Sequence, residues 1–306
     1  MRDVFWKISA CSLLFCLILW LQVSHASETH SQKTVLVTGG LSGIGYEIAK
    51  AYQSQGWNVW VTSRHPERYP NKEDFKVLKM DLVQSHSMEA SVAKLLDDLG
   101  EQNTLDVLVN NAGYGLLGAQ ENISEQEAQE QLQVNVLAPL KLSQLVLPKM
   151  RQQGHGHIIN ISSTSGIRAV PGLGFYAASK MALEGLSEAL AAETAQWNIR
   201  VSLVEPGTVK NNWAANAVTS QNRSQVKAYE TLQQNLQKLL VSKAASGQAQ
   251  AEIGQLVVQL SQHNNPSLRY QTNQQANDVA NSVYLDPTGN KMAQTMTAFA
   301  SSLYAS

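Results

Sequence analysis

Thr38-Gly39-Gly40-Leu41-Ser42-Gly43-Ile44-Gly45 follows the apolar run TVLVT at 34–38 and leads into a helical pattern over 45–55. Glycine lets the backbone turn sharply and approach a ligand closely. The helix that follows offers free N–H groups and a partial positive charge at the same point. A glycine cluster alone says little. Between an apolar strand and an amphipathic helix start, it predicts a turn built to cradle a pyrophosphate. A glycine-rich turn without a ligand is the competing reading.

The pattern continues outward from this loop. Apolar, β-rich runs recur at 59–63 (VWVTS), 75–81 (FKVLKMD), 105–111 (LDVLVNN), 157–163 (HIINISS) and 199–206 (IRVSLVEP), with helical stretches such as 87–99 between them. Near-continuous apolar strands separated by helices predict a parallel sheet covered on both faces. Right-handed crossovers make it an α/β fold, a Rossmann-type doubly wound sheet of about seven strands. Residues 220–262, rich in Gln, Ala and Leu, read as helices that Gly247 interrupts. LRYQT (268–272) reads as a last strand.

The chain has 306 residues, 43% hydrophobic and 15% charged, with a formal net charge of −1. That supplies an ordinary core and no basic surplus for a nucleic-acid backbone, so no nucleic-acid partner is expected. Cys11 and Cys16 are the only cysteines, both near the N-terminus, which leaves the rest of the chain without a disulfide or a thiolate metal site. His155 and His157 read as a polar lead-in to a strand, and no metal spacing surrounds them.

Arg2 and Lys7 precede an uncharged run over 8–27 with the apolar centre LLFCLILWL, followed by Ser24-His25-Ala26. A basic start, an apolar stretch and a small-x-Ala site fit a signal peptide over 1–26. The run is also nearly long enough for a membrane anchor. Both readings stand. The positive-inside rule places the main domain outside the cytoplasm, in a periplasm or lumen, while a cytoplasmic-facing anchor stays compatible.

The end of the second strand reads Thr62-Ser63-Arg64. Sites for NAD place an acid there, on the ribose 2′-OH; sites for NADP place an arginine near the 2′-phosphate. With no acid and a guanidinium able to grip phosphate at two points, Arg64 predicts NADP(H), against a solvated loop arginine as the alternative. An exported user of NADP(H) is an unusual pairing. Asp81, ending the third strand, fits a partner for the adenine amine or a cap on the next helix equally well.

Several further motifs appear in order. Asn110-Asn111-Ala112-Gly113 follows the fourth strand, Ser163 ends the fifth, Tyr176 and Lys180 stand four apart, and Pro206-Gly207 follows the sixth. With the glycine loop, these resemble the short-chain dehydrogenase/reductase family in its non-extended branch, over about 34–209. The resemblance implies one catalytic domain over 34–306, with C-terminal helices capping the substrate. It implies Asn135, Ser163, Tyr176 and Lys180 as catalytic residues. It places Gly39, Ser42, Gly43, Ile44, Gly45, Arg64, Asp81, Leu82, Asn111, Ala112, Gly113, Pro206, Gly207 and Val209 on the cofactor, with Tyr176 and Lys180 beside the nicotinamide. Asn135 is implied to bend its helix and hold a water linking Lys180 to solvent.

The chemistry fits those residue types. Tyrosine titrates near 10, so an adjacent ammonium and a nicotinamide charge are expected to lower its pKa towards working pH. Ser163 can hydrogen-bond a substrate oxygen. Tyr46 and Lys50 repeat the four-residue spacing in the first helix and read as structural. Asn211 stands where the family often has a threonine touching the carboxamide.

The tail, with Leu268-Arg269-Tyr270-Gln271-Thr272 and Asp286-Pro287-Thr288-Gly289, is similar to the 17β-hydroxysteroid and retinol dehydrogenase subgroup. That implies an apolar alcohol or carbonyl substrate, with Trp213, Ala214, Ala215 and Val218 as pocket candidates. Glycosylation sequons occur at Asn122, Asn160 and Asn222. A homo-oligomer is compatible with the sequence, as is membrane association through 8–27. The competing functions are an NADP(H)-sensing module without turnover and an extended-branch epimerase or dehydratase.

Overall fold

The run ahead of the glycine loop is a central strand, β1 (Thr34–Val37), with all four residues buried. The computed structural model describes residues 32–69, 75–211, 213, 217–220, 226–285 and 290–305. Within it follow β2 (Asn58–Ser63), β3 (Lys76–Lys79), β4 (Val107–Asn110), β5 (Leu116–Leu117), β6 (Gly156–Ile161), β7 (Ile199–Glu205), β8 (Val218–Thr219) and β9 (Arg269–Gln271). Seven of them form one sheet in the order β3-β2-β1-β4-β6-β7-β9. Every pairing in it is parallel. This is the Rossmann-type sheet expected from the apolar runs, and LRYQT supplies its last strand.

Helices cover both faces because β1 alternates. Val35 and Val37 point to one face with Val59 and Val61, under Ile48 and Tyr52 of α1 (Gly43–Ser54). Leu36 points to the other with Leu108 and Ile158, under Met88, Val92 and Leu95 of α2 (Ser85–Leu99). Each such side chain contributes about 1.5–3 kcal/mol on burial. The chain continues through α3 (Glu125–Leu132), α4 (Ala138–Gln153), α5 (Gly174–Thr194), α6 (Glu230–Ala245), α7 (Gln250–Gln262), α8 (Gln274–Tyr284) and α9 (Asn290–Ala305). Gly254 brings α7 against the α1 backbone: a Cβ there would meet Glu47 O at 2.6 Å.

The interruption predicted at Gly247 separates α6 from α7. A Cβ at Gly247 would lie 2.6 Å from the Val209 carbonyl carbon, so that tight contact, rather than flexibility, sets the residue. β5 and β8 form a second, two-stranded parallel sheet that the sequence pattern does not reveal. Two-residue strands carry no periodicity.

Gln32–Ser306 form one compact unit. The predicted N-terminal signal or anchor lies outside the described residues, as do Asp286-Pro287-Thr288-Gly289 and Asn222. Among the described residues, no helix is long and apolar enough to cross a membrane. Asn160 is buried in β6, accepting from Asn110 at 2.8 Å and donating to Ser187 at 2.8 Å. Asn122 is buried too. Neither is placed to carry a glycan.

Candidate active site

The glycine loop closes against β4 through one threonine. Thr38 Oγ1 accepts from the backbone N–H groups of Asn111 and Ala112, both at 3.0 Å, and Asn111 Nδ2 donates to Thr38 O at 2.8 Å. Gly39 and Gly43 have φ of +66° and +60°, the left-handed region that glycine enters freely. A Cβ on Gly45 would strike Asn111 Nδ2 and approach Gly39 O to 2.5 Å. The loop is therefore an open cradle in front and fully packed behind.

That cradle is one end of a cavity of about 890 Å³. Of the predicted cofactor residues, Gly39, Ser42, Gly43, Ile44, Arg64, Asp81, Leu82, Asn111, Ala112, Gly113, Pro206, Gly207 and Val209 line it. Gly45 does not: its missing side chain serves the approach of Gly39 and Asn111. Arg64 is exposed at the end of β2, and Ser63 Oγ accepts from His65 N at 3.1 Å. Asp81 lines the cavity, and its Oδ1 accepts from Val83 N at 3.0 Å in the turn before α2; the N-cap of α2 is Gln84, so Asp81 does not cap that helix.

Ser163, Tyr176 and Lys180 line the same cavity. Ser163 leaves β6 and caps the short helix Thr164–Gly166, its Oγ accepting from Ser165 N at 3.0 Å. Tyr176 and Lys180 lie in the first two turns of α5, where a four-residue spacing puts them on one face. Lys180 Nζ donates to Ile161 O at 2.8 Å and stands 6.0 Å from the Tyr176 ring centre.

The protein's own groups do not lower the tyrosine pKa; the nicotinamide charge in that expectation comes with the bound cofactor. Burial pushes Tyr176 up to about 12, and the hydrogen bond with Ser163 opposes this only partly. The reason is that desolvation penalises the phenolate more than the surrounding groups favour it. Burial also brings Lys180 down to about 8, against the pull of Glu184. The Tyr176 hydroxyl is therefore neutral at pH 7.

Asn135 is fully buried and does not line the cavity. It sits in a π-turn, Gln133–Leu137, between α3 and α4. Such a turn widens a helix locally and recurs at functional sites. The capping box of Ser124 and Glu127 fixes where α3 begins, and so the register that delivers Asn135. Asn135 Nδ2 donates to Tyr114 O at 3.0 Å and to Ser179 Oγ at 3.1 Å, while its Oδ1 accepts from Tyr114 N at 3.2 Å. It ties the loop after β4 to the helix that carries Tyr176.

Part of the remaining wall is apolar, with Lys243 at its margin. Leu173, Leu236 and Phe299 line it with Trp213, whose ring centre is 5.2 Å from that of Tyr176. Ala217 lines the cavity, Ala214 and Ala215 lie outside the described residues, and Val218 is exposed in β8, paired with Leu116. Asn211 lines the cavity, but its Oδ1 accepts from Trp213 N at 3.0 Å. That oxygen is therefore occupied by the backbone. Tyr46 packs edge-on to Phe75, centres 6.0 Å apart, with Lys50 over its ring. This pair lies off the cavity.

Three features escaped the sequence reading. Gln248 knots the segment after Pro206-Gly207: its N–H donates to Thr208 O at 2.9 Å, its carbonyl accepts from Lys210 N at 2.8 Å, and its Nε2 donates to Thr272 O at 2.9 Å. Arg269 Nε lies 3.1 Å from Glu184 and 3.6 Å from Glu205, two buried acids. The signal for one acid was present: Glu205 follows the apolar pair Leu203-Val204 at the end of β7. Arg168 projects from the loop between Ser163 and Tyr176.

A doubly wound sheet with a glycine cradle and a packed tyrosine–lysine face defines a dinucleotide-binding α/β enzyme. The short chain dehydrogenase profile matches residues 33–223. A 3-ketodihydrosphingosine reductase of Bacteroides thetaiotaomicron is 35% identical over 77% of this chain and 86% of its own. A short-chain dehydrogenase from Streptomyces avermitilis superposes with a TM-score of 0.75 at 30% identity, over 90% of this chain and 99% of its own. A metagenomic short-chain oxidoreductase solved with NADP gives 0.63 at 29% identity, over 79% and 96%. The chain belongs to the short-chain dehydrogenase family and is an oxidoreductase.

Proposed function

We propose that this enzyme uses NADP(H) to interconvert an alcohol with a ketone or aldehyde on an apolar, lipid-, steroid- or retinoid-like substrate. The observation that carries the reading is one cavity holding the glycine cradle at one end and Ser163, Tyr176 and Lys180 against an apolar wall at the other. The nicotinamide cofactor, when bound, supplies or accepts the hydride. Gly39, Ser42, Gly43 and Ile44 would hold its pyrophosphate, and Arg64 its 2′-phosphate. The absence of an acid beside Arg64 and the NADP complex of the metagenomic relative support that choice. The keto-lipid in the name of the Bacteroides relative supports an apolar carbonyl.

In reduction, the Tyr176 hydroxyl donates its proton to the carbonyl oxygen and Ser163 Oγ hydrogen-bonds that oxygen as charge develops. Lys180 places a positive charge beside the phenolate that results. Asn135 positions, holding α5 to the loop after β4. NADPH oxidation by the purified protein over a panel of steroids, retinoids and small ketones tests this. Turnover is expected on an apolar member, falling about a hundredfold or more in Tyr176→Phe while NADPH still binds. No turnover anywhere favours an NADP(H)-sensing protein instead, and near-normal turnover in that variant removes Tyr176 from the proton transfer.

A further inference from the structure

We propose that Arg168 anchors an anionic group on the substrate, so that the preferred substrates are apolar carbonyl compounds that also bear a carboxylate. This rests on the oxidoreductase reading and specifies the ligand of that same cavity.

Arg168 belongs to the loop joining Ser163 to Tyr176 and lines the cavity they share. Its base is fixed. The Arg168 N–H donates to Thr164 O at 3.0 Å, and the adjacent Ile167 is buried against Val279 and Ala280 of α8. Its side chain is half-buried, yet among the described residues the guanidinium makes no hydrogen bond and no ion pair. Burial alone draws its pKa below the usual arginine value, with no carboxylate acting on it. Arg269 shows the contrast: also half-buried, it is held by Glu184, Glu188 and Glu205.

A partly desolvated cation without a counter-ion is costly, and a ligand anion offsets that cost. Among the described residues, the cavity wall offers no free one: Asp81 is the only carboxylate there, at the end with the glycine loop and already accepting from Val83 N. Lys180 is turned to Ile161 O. The neighbours of Arg168 along its loop, Val170 and Leu173, belong to the apolar wall with Leu236 and Phe299. A substrate matching these groups has an apolar body, a carbonyl for Ser163 and Tyr176, and an acid for a guanidinium that grips carboxylate at two points.

The test separates anion binding from turnover. Dodecanoate has the acid and the chain but no carbonyl; dodecanol has the chain alone. With NADP+ bound, dodecanoate is expected to bind at least tenfold tighter than dodecanol by calorimetry, and Arg168→Ala to erase that margin. Arg168→Lys is expected to keep part of it. NADPH affinity and melting temperature should be unchanged in both variants. In parallel, oxo-octadecanoates differing in carbonyl position are compared with their methyl esters and with the matching keto-alkyl phosphates. Higher kcat/KM for the acids than the esters, lost in Arg168→Ala, supports the proposal. A preference for phosphate over carboxylate overturns the carboxylate assignment. Equal binding of dodecanoate and dodecanol, or an unchanged margin in Arg168→Ala, overturns the proposal. So does a fall in NADPH affinity, which would assign Arg168 to the cofactor. Dodecanoate binding without turnover of any carbonyl leaves the anion site standing and sinks the oxidoreductase reading.

Discussion

The ammonium of Lys180 donates to the carbonyl of Ile161 at 2.8 Å, so the helix that carries Tyr176 is pinned to the end of the strand that leads into Ser163. Lys180 thus fixes geometry as well as supplying charge. Lys180→Met is expected to lower turnover and weaken cofactor binding together. Tyr46→Phe has the same spacing in the first helix but lies off the cavity, and should leave turnover intact. In the intact enzyme, kcat/KM should fall as pH rises through about 8, because the ammonium is lost there. Steady-state kinetics across pH on any substrate of the panel checks all three. A flat alkaline limb would remove Lys180 from the charge argument.

Arg64 directly follows β2, ahead of His65 and Arg68, and Ser63 beside it carries no charge. A bidentate, charged hydrogen bond contributes about 1.5–3 kcal/mol. Arg64→Ala should therefore weaken NADPH by roughly tenfold or more and leave NADH affinity nearly unchanged. Fluorescence titration of both nucleotides measures it. Equal affinity for the two in the unmutated protein would end the NADP assignment.

Glu205 is buried in β7, its pKa raised to about 7 by desolvation first and by Glu184 second. A folded-state pKa above the unfolded one means that the native protein holds the extra proton between about pH 4.5 and 7. Stability from this group is therefore present below that window and is lost as pH rises through it. Glu205→Gln mimics the protonated form. It should melt higher than the parent above about pH 7, with the difference shrinking towards pH 5. Thermal melts across that range decide; a pH-independent difference would show that the carboxyl is not titrating.

Two glycines make opposite stability predictions. Gly45→Ala drives a Cβ into Asn111 and Gly39 O, and overpacking of that kind costs about 1–3 kcal/mol. Gly185, exposed within α5, has nothing within 4 Å of an added Cβ. Gly185→Ala should stabilise by about 0.5–1 kcal/mol through helix propensity. Urea unfolding of both proteins gives the comparison, and the same sign for both would contradict the packing account.

The compact unit begins at Gln32. A chain starting there is expected to fold and to bind NADPH as the full chain does. Insolubility of the short form alone would mean that the N-terminal run belongs to the fold.

The sequence by itself determined the sheet. Apolar runs such as VLV at 35–37 and IINI at 158–161 are buried on both faces, and that composition is a local property of the strand. It also determined the glycine cradle and the Tyr176–Lys180 face, because turn geometry and helical spacing act over a few residues. Only the tertiary structure decided what those residues experience. The burial that raises Tyr176 is set by the fold around it, and the convergence of Arg269 on Glu184 and the knot at Gln248 join positions from 24 to 85 apart in the chain. The lack of a partner for Arg168 among the described residues is likewise set by the fold. Desolvation and long-range pairing depend on what the fold packs around a side chain, and no local pattern carries that information.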